Sequence, residues 1–442
     1  MIFTEDLVRE KLYAALDALG PKKRVLALPP DATRGHSRSG LVLRLLREYY
    51  GAALTDVMPA LGTHEPMSGA EIASMYPGVP AALFRIHDWR RDLVTLGRVP
   101  KEYVKELSEG KLDYDWPAEV NRLIAEGGHD LIVSIGQVVP HEVAGMANHA
   151  KNVFVGTGGV DGIHRSHFLG AVYGMERIMG RADTPVRALF DYASREFAKN
   201  LPLFYALTVV APAEGPGEGR GTDEGPASVV GAASVAAAGA RREANVLRGF
   251  FAGQGRACFE EASALSLALN VNLLDKPIGR ALVRLDPDEF KSTWLGNKAV
   301  YRTRMAMADG GELVILAPGL KRFGEDATID RLIRRYGYRG TEATLAAVGK
   351  DAELATNLSA AAHLIHGSSE GRFSITYCAP GLGREAVEGA GFRYADLGEV
   401  EAAWKPETLV PGFNRIGGEE LFWVPNPALG LWATKARFGA ST

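Results

Sequence analysis

Short, almost wholly apolar runs recur along the chain at intervals that only a layered α/β fold accommodates. They are 24–28 (RVLAL), 130–135 (DLIVSI), 152–155 (NVFV) and 203–210 (LFYALTVV), then 280–285 (RALVRL), 312–317 (ELVILA), 372–378 (RFSITYC) and 421–424 (LFWV). Helical patterns lie between them, over 4–19, 117–126, 168–180, 185–197, 256–269 and 359–366. Continuous apolar strands alternating with helices specify parallel sheets covered on both faces. The expected fold is two α/β domains with largely parallel sheets and the active site in the cleft between them. Near 270–280 a helical region gives way to a fresh strand–helix series. The expected domains are therefore 1–275, with 410–442 as an optional completion, and 280–405. A length of 442 residues suits that division. The segment 211–240, rich in Gly, Ala, Pro and Glu, reads as an inserted surface stretch.

Composition removes several function classes. Lys+Arg number 50 against 53 Asp+Glu, so no basic excess exists to neutralise a nucleic-acid backbone. No run reaches the roughly 18 apolar residues of a membrane span. The amphipathic N-terminus lacks the apolar stretch of a signal peptide, which makes the cytoplasm the expected location. Cys258 and Cys378 are far apart and outside any CxxC, against both a disulfide scaffold and a cysteine-built zinc site. GSSEG at 367–371 has the letters of a nucleophile elbow, but it follows a helical run and precedes a strand, the wrong order. No GxGxxG, Walker loop or HExxH is present. The histidines are skewed: eight of the ten fall between His36 and His167.

Four segments concentrate chemistry. The loop after the first strand (LPPDATRGHSRSG, 28–40) carries Asp31, Thr33 and Arg34; the planar arginine fork suits a carboxylate or phosphate. At 61–72, His64 stands in a turn ahead of a helix, where Ser68 with Glu71 fits a capping box. The densest segment, 134–167, holds His141, His149, His164 and His167 with Lys151. Within it the glycine-rich turn 156–159 (GTGG) directly follows the NVFV run and offers main-chain N–H groups to a phosphate. His164 and His167, three residues apart, can share a helical face and could form a metal-ligand pair. In the second half, 287–298 contains Trp294, Asn297 and Lys298; Lys298 by itself reads as an ordinary solvated helical lysine.

Taken in order, these segments resemble the nickel-pincer-nucleotide lactate racemase family. DATR (31–34) resembles its D-x-x-R loop, and GTHEPMS (62–68) its G-x-H-R-P-M-T segment, with Glu65 where arginine is common. PHEVAGMANHAK (140–151) resembles P-H-x-x-A-G-x-S-G-G-x-K. WLGNK (294–298) resembles Y-Q-x-x-K more loosely. The likeness runs from about Leu26 into the second domain. It implies a racemase or epimerase that inverts C2 of a 2-hydroxy acid by hydride transfer through a 2-keto acid. It implies nickel and a pyridinium-3-thioamide-5-thiocarboxylic acid mononucleotide as cofactor, and cofactor-building enzymes as partners. It assigns His64 and His141 as the catalytic bases, Lys151 as the covalent attachment and His167 as the nickel ligand. Thr33, Gly156 and Gly158 would line the cofactor, and Asp31, Arg34, Trp294 and Lys298 the substrate.

Three departures bear on the substrate. Ala147-Asn148-His149 replaces S-G-G, Trp294-Leu295 replaces Y-Q, and no tryptophan stands near Asn357 and Leu358. They point from lactate to another, larger or polyhydroxylated 2-hydroxy acid such as a sugar acid. Two other readings compete: a zinc hydrolase built on His164 and His167, and a non-catalytic protein that binds carboxylates or stores the cofactor. The oligomeric state is not legible.

Overall fold

The computed structural model describes residues 2–213 and 245–440. Most of the expected insertion at 211–240 therefore lies outside the described residues. The chain divides into two compact units, Met1–Ser166 with Met179–Asn270, and His167–Ile178 with Val271–Thr442. The segment 410–442 falls in the second unit, so it does not complete the first.

The first unit is built on a five-stranded sheet. Its strands are β1 (Val25–Leu28), β2 (Leu54–Val57), β3 (Leu131–Gln137), β4 (Leu203–Pro212) and β5 (Asn245–Gly253), in the order β2-β1-β3-β4-β5. All neighbours run parallel except β5, which pairs antiparallel with β4. Every residue of β1 is buried, and β3 is buried from Leu131 to Gly136, as strands covered on both faces require. Helix α1 (Glu5–Asp17) buries Val8, Leu12 and Leu16, a stripe at i, i+4 and i+8, and α2 (Ser39–Tyr50) buries Val42, Leu43, Leu45 and Leu46. With Val25, Ala27, Val133 and Ile135 they form one apolar cluster. Helix α3 (Gly69–Met75) opens on the expected capping box of Ser68 and Glu71.

The second unit holds a six-stranded sheet: β6 (Ile278–Arg284), β7 (Met307–Leu316), β8 (Ser374–Cys378), β9 (Arg393–Tyr394), β10 (Gly412–Ile416) and β11 (Glu419–Val424). The order is β9-β8-β7-β6-β11-β10, and only β10 pairs antiparallel. Two largely parallel α/β units are thus what the alternating pattern specifies.

Two elements depart from the pattern reading. The NVFV run is not a strand: residues 150–154 form the short helix α4 (Ala150–Phe154). Four apolar residues do not distinguish a strand from one helical turn. Here Asn152 decides, because its side-chain amide donates to Leu28 O (3.1 Å) and Ser134 Oγ (2.9 Å) and docks the turn on the end of β1 and the middle of β3. The second is 117–126. Its first half is a strand, Trp116–Asn121, paired antiparallel with Leu93–Val99, and only Arg122–Glu126 is helical. A two-stranded ribbon leaves room for Pro117, whose missing N–H need not face a partner. Among the described residues no helix is long and apolar enough to cross a membrane.

Candidate functional site

Sheet order gathers the first unit's chemistry at one edge. β2, β1 and β3 are neighbours and parallel, so their carboxyl ends lie side by side. Asp31, Thr33 and Arg34 follow β1, His64 follows β2, and His141 and Lys151 follow β3. This is the rim where open α/β sheets bind ligands. The rim is laced together by main-chain bonds. Met58 N donates to Ala27 O (2.9 Å), Ala60 N to Pro29 O (2.7 Å) and Gly62 N to Gly156 O (2.8 Å). The buried Tyr76 hydroxyl donates to Pro30 O.

Asp31 and His64 form a pair. Asp31 is 5% exposed, whereas the His64 side chain is 55% exposed, and Nδ1 of His64 lies 2.6 Å from Asp31 Oδ2. Burial alone would raise the Asp31 carboxyl. Hydrogen bonds from His64 and Thr33, and the charges of His64 and Arg34, outweigh it and hold the group below its ordinary range. An ionised Asp31 requires the proton of neutral His64 on Nδ1, leaving Nε2 as a bare acceptor. The family resemblance places Asp31 with the substrate; its hold on His64 depends on β1 and β2 being neighbours.

His141 is set differently. The main-chain N–H groups of Val143 (3.1 Å) and Ala144 (3.3 Å) both donate to its Nδ1. In the neutral ring the proton therefore sits on Nε2, which makes that nitrogen a donor. The two histidines share a rim but start from opposite tautomers.

Lys151 lies in the first turn of α4, half-buried. Burial and the charges of Arg34 and Arg187 push its ammonium down to about 8, with Glu142 opposing. Among the described residues its Nζ has no ion pair or hydrogen bond. At pH 7 about a tenth of such an amine is unprotonated, far more than for an ordinary lysine, and the free amine is the state a nucleophilic lysine needs. Arg34 is exposed, and among the described residues its side chain hydrogen-bonds to neighbouring Thr33. The surroundings are cationic and suit an anionic ligand.

The glycine turn 156–159 follows a helix rather than a strand, which removes the strand–turn geometry expected of it. Its glycines answer to close packing. A Cβ on Gly158 would meet Phe154 O at 2.0 Å, and one on Gly156 would meet Asn152 O at 2.5 Å. Gly158 O also accepts from the ring of buried His87 (3.1 Å).

His149 is a core residue. It is 5% exposed, its ring lies 3.8 Å from that of Tyr205, and its Nε2 is 3.3 Å from Gly255 O. Burial and Arg187 push it down to about 3, so the ring is neutral. Asn148 (φ 68°) and His149 (φ 59°) both take backbone conformations that glycine adopts without strain.

The remaining candidates belong to the second unit. His167 stands half-buried on α5 (Val160–Tyr173), three residues after His164. Trp294 lies on a single helical turn, Thr293–Gly296, with its ring 4.4 Å from buried His363. Thr293 and Tyr338 share a hydrogen bond (2.7 Å), as do Tyr377 and Asn297 (2.7 Å), which fixes that turn from below. Lys298 Nζ is 3.9 Å from Glu289 Oε1. Among the described residues no group of three or more His, Cys, Asp or Glu side chains is gathered to hold a metal. A structural or catalytic zinc needs at least three protein ligands.

Residues 13–178 match the lactate racemase N-terminal domain family. No curated protein matches the chain in sequence. Among solved structures, a protein of Thermotoga maritima is similar at 24% identity over 98% of this chain and 99% of its own, with a TM-score of 0.74. The lactate racemase apoprotein from Thermoanaerobacterium thermosaccharolyticum is similar at 16% identity over 97% of this chain and 92% of its own, with a TM-score of 0.69.

Proposed function

We propose, from the premise that this is a lactate racemase-like chain, that it inverts C2 of a 2-hydroxy acid with a nickel-pincer nucleotide held on Lys151. The observation that carries the proposal is Lys151 itself: a half-buried amine with a depressed proton affinity and no partner among the described residues. Such an amine fits a group that attaches covalently. The donor set fits as well, because a pincer that brings its own sulfur and carbon donors needs one protein ligand, for which His167 is the candidate. When bound, the group would supply the hydride acceptor.

The chain's own residues then have definable tasks. Arg34 would hold the substrate carboxylate through its fork, with Lys298 as a second cation. His64, its Nε2 bare and its Nδ1–H directed at Asp31, would take the hydroxyl proton. The Asp31 carboxylate would stabilise the resulting imidazolium, the task an aspartate performs beside a catalytic histidine elsewhere. His141 would present Nε2–H to the same oxygen, as a neutral imidazole donor does in triosephosphate isomerase. Trp294, in place of a tyrosine and next to Leu295, supports a substrate other than lactate, such as a sugar acid. The cytoplasm is the proposed setting.

The test uses protein co-expressed with cofactor-building enzymes and a panel of C2-deuterated 2-hydroxy acids. Inversion with deuterium retained at C2 supports the hydride route. Inversion with loss of deuterium to water would overturn it, and a clear preference for lactate would overturn the substrate reading.

A further inference from the structure

Arg187 is completely buried on α6 (Pro185–Glu196), yet its hydrogen bonds go to no carboxylate. Its two terminal nitrogens donate to main-chain carbonyls, to Met146 O at 2.7 Å and to Asn148 O at 3.3 Å. Asp191, which acts on it through space, is ion-paired with Arg256. The guanidinium lies 4.2 Å over Phe259, whose other neighbour is the His149 ring at 5.2 Å. Arg187, Phe259, His149 and Tyr205 thus form a packed layer beneath the stretch that leads into Lys151. The clamped carbonyls lie just before and within the turn where the chain takes positive φ at Asn148 and His149.

A buried cation is costly unless fully paired, and an apolar side chain could fill the space without that cost. Nε of Arg187 and Nδ1 of His149 find no partner among the described residues, so the layer is not arranged for stability alone. We propose that Arg187 is the positioning residue of Lys151: it clamps the main chain that presents the amine and turns a fixed positive charge toward it. This rests on Lys151 being the loading amine. The charged groups facing Lys151 are Arg34 after β1, Glu142 after β3 and Arg187 on α6; the two arginines favour the neutral amine and Glu142 opposes.

Competitive labelling of unloaded protein with acetic anhydride across pH, read by peptide mass, tests this. The native amine should be half-reactive near pH 8. In Arg187→Gln the midpoint should rise by about 0.3 units or more, about twofold less free amine at neutral pH. Arg187→Lys keeps the cation but loses the two-point clamp. Its midpoint should stay near the native one while amides 147–150 exchange about tenfold faster or more. Glu142→Gln should lower the midpoint, the sign that a merely loosened loop cannot produce. A folded Arg187→Gln with an unchanged midpoint, or Arg187→Lys with native exchange at 147–150, would overturn the proposal. These readouts do not involve the cofactor, so a protein that never carries an adduct on Lys151 would refute the functional reading while leaving this one standing.

Discussion

Replacing His149 separates backbone strain from side-chain packing. The residue sits at φ 59°, ψ −135°, a region that a residue with a Cβ enters only under constraint. Holding it there costs about 1–3 kcal/mol. Both His149→Ala and His149→Gly delete the ring stacked on Tyr205, at about 0.5–1.5 kcal/mol for the aromatic contact and about 2 kcal/mol or more for the vacated space. They differ in the backbone alone. Glycine releases the strain and adds about 0.5–1 kcal/mol of unfolded-chain entropy. The glycine variant should therefore be the more stable of the two by up to about 2.5 kcal/mol, although both fall below the native protein. At an ordinary position alanine is the more stable, so the expected order is inverted. Urea unfolding followed by circular dichroism measures it. An alanine variant as stable as the glycine variant, or more so, would refute the claim that this turn is held in a strained conformation.

Other outcomes follow from the same structure. Asp31→Asn should leave the fold intact but lower inversion about 10²–10⁴-fold, because an amide no longer requires the Nδ1–H tautomer or stabilises the imidazolium; rates by chiral chromatography check it. Nitrogen-15 NMR of the unloaded protein should find the proton on Nδ1 in His64 and on Nε2 in His141, and the same tautomer in both would contradict their assigned difference. Burial holds His149 and His363 down to about 3, below their ordinary 6.5, so the unfolded chain binds these protons first. The stability they allow is complete above about pH 6.5 and is lost as pH falls toward 3, by up to about 1.4 kcal/mol per unit for each ring. His363→Phe should flatten that slope, which denaturation midpoints against pH would read.

Much of the fold was legible because buried parallel strands carry their own signature. β1, β3, β4, β6, β7, β8 and β11 all lie on runs of apolar residues. β2 (LTDV) was not legible, since two of its four residues, Thr55 and Asp56, are polar and its burial is set by neighbours. NVFV misled for the opposite reason, being apolar through packing while its conformation is decided by Asn152. At the site, Asp31, His64, His141 and Lys151 stood out by residue type and spacing. Arg187 and Asn152 did not. One looks like a surface arginine on a helix and the other like the polar first residue of an apolar run, and only their hydrogen bonds show that they hold the segment carrying Lys151. Sequence offered no tautomers either, because those depend on Asp31 reaching His64 across strands and on the turn after His141.

The account stands most directly on what is attached to Lys151. Intact mass and metal content should be measured on one sample co-expressed with the cofactor-building enzymes, with peptide mapping to locate any adduct. A nucleotide-sized addition on Lys151 with stoichiometric nickel is expected, retained in His64→Ala and His141→Ala and abolished in Lys151→Ala. Zinc without an adduct, or an adduct that survives Lys151→Ala, would contradict it.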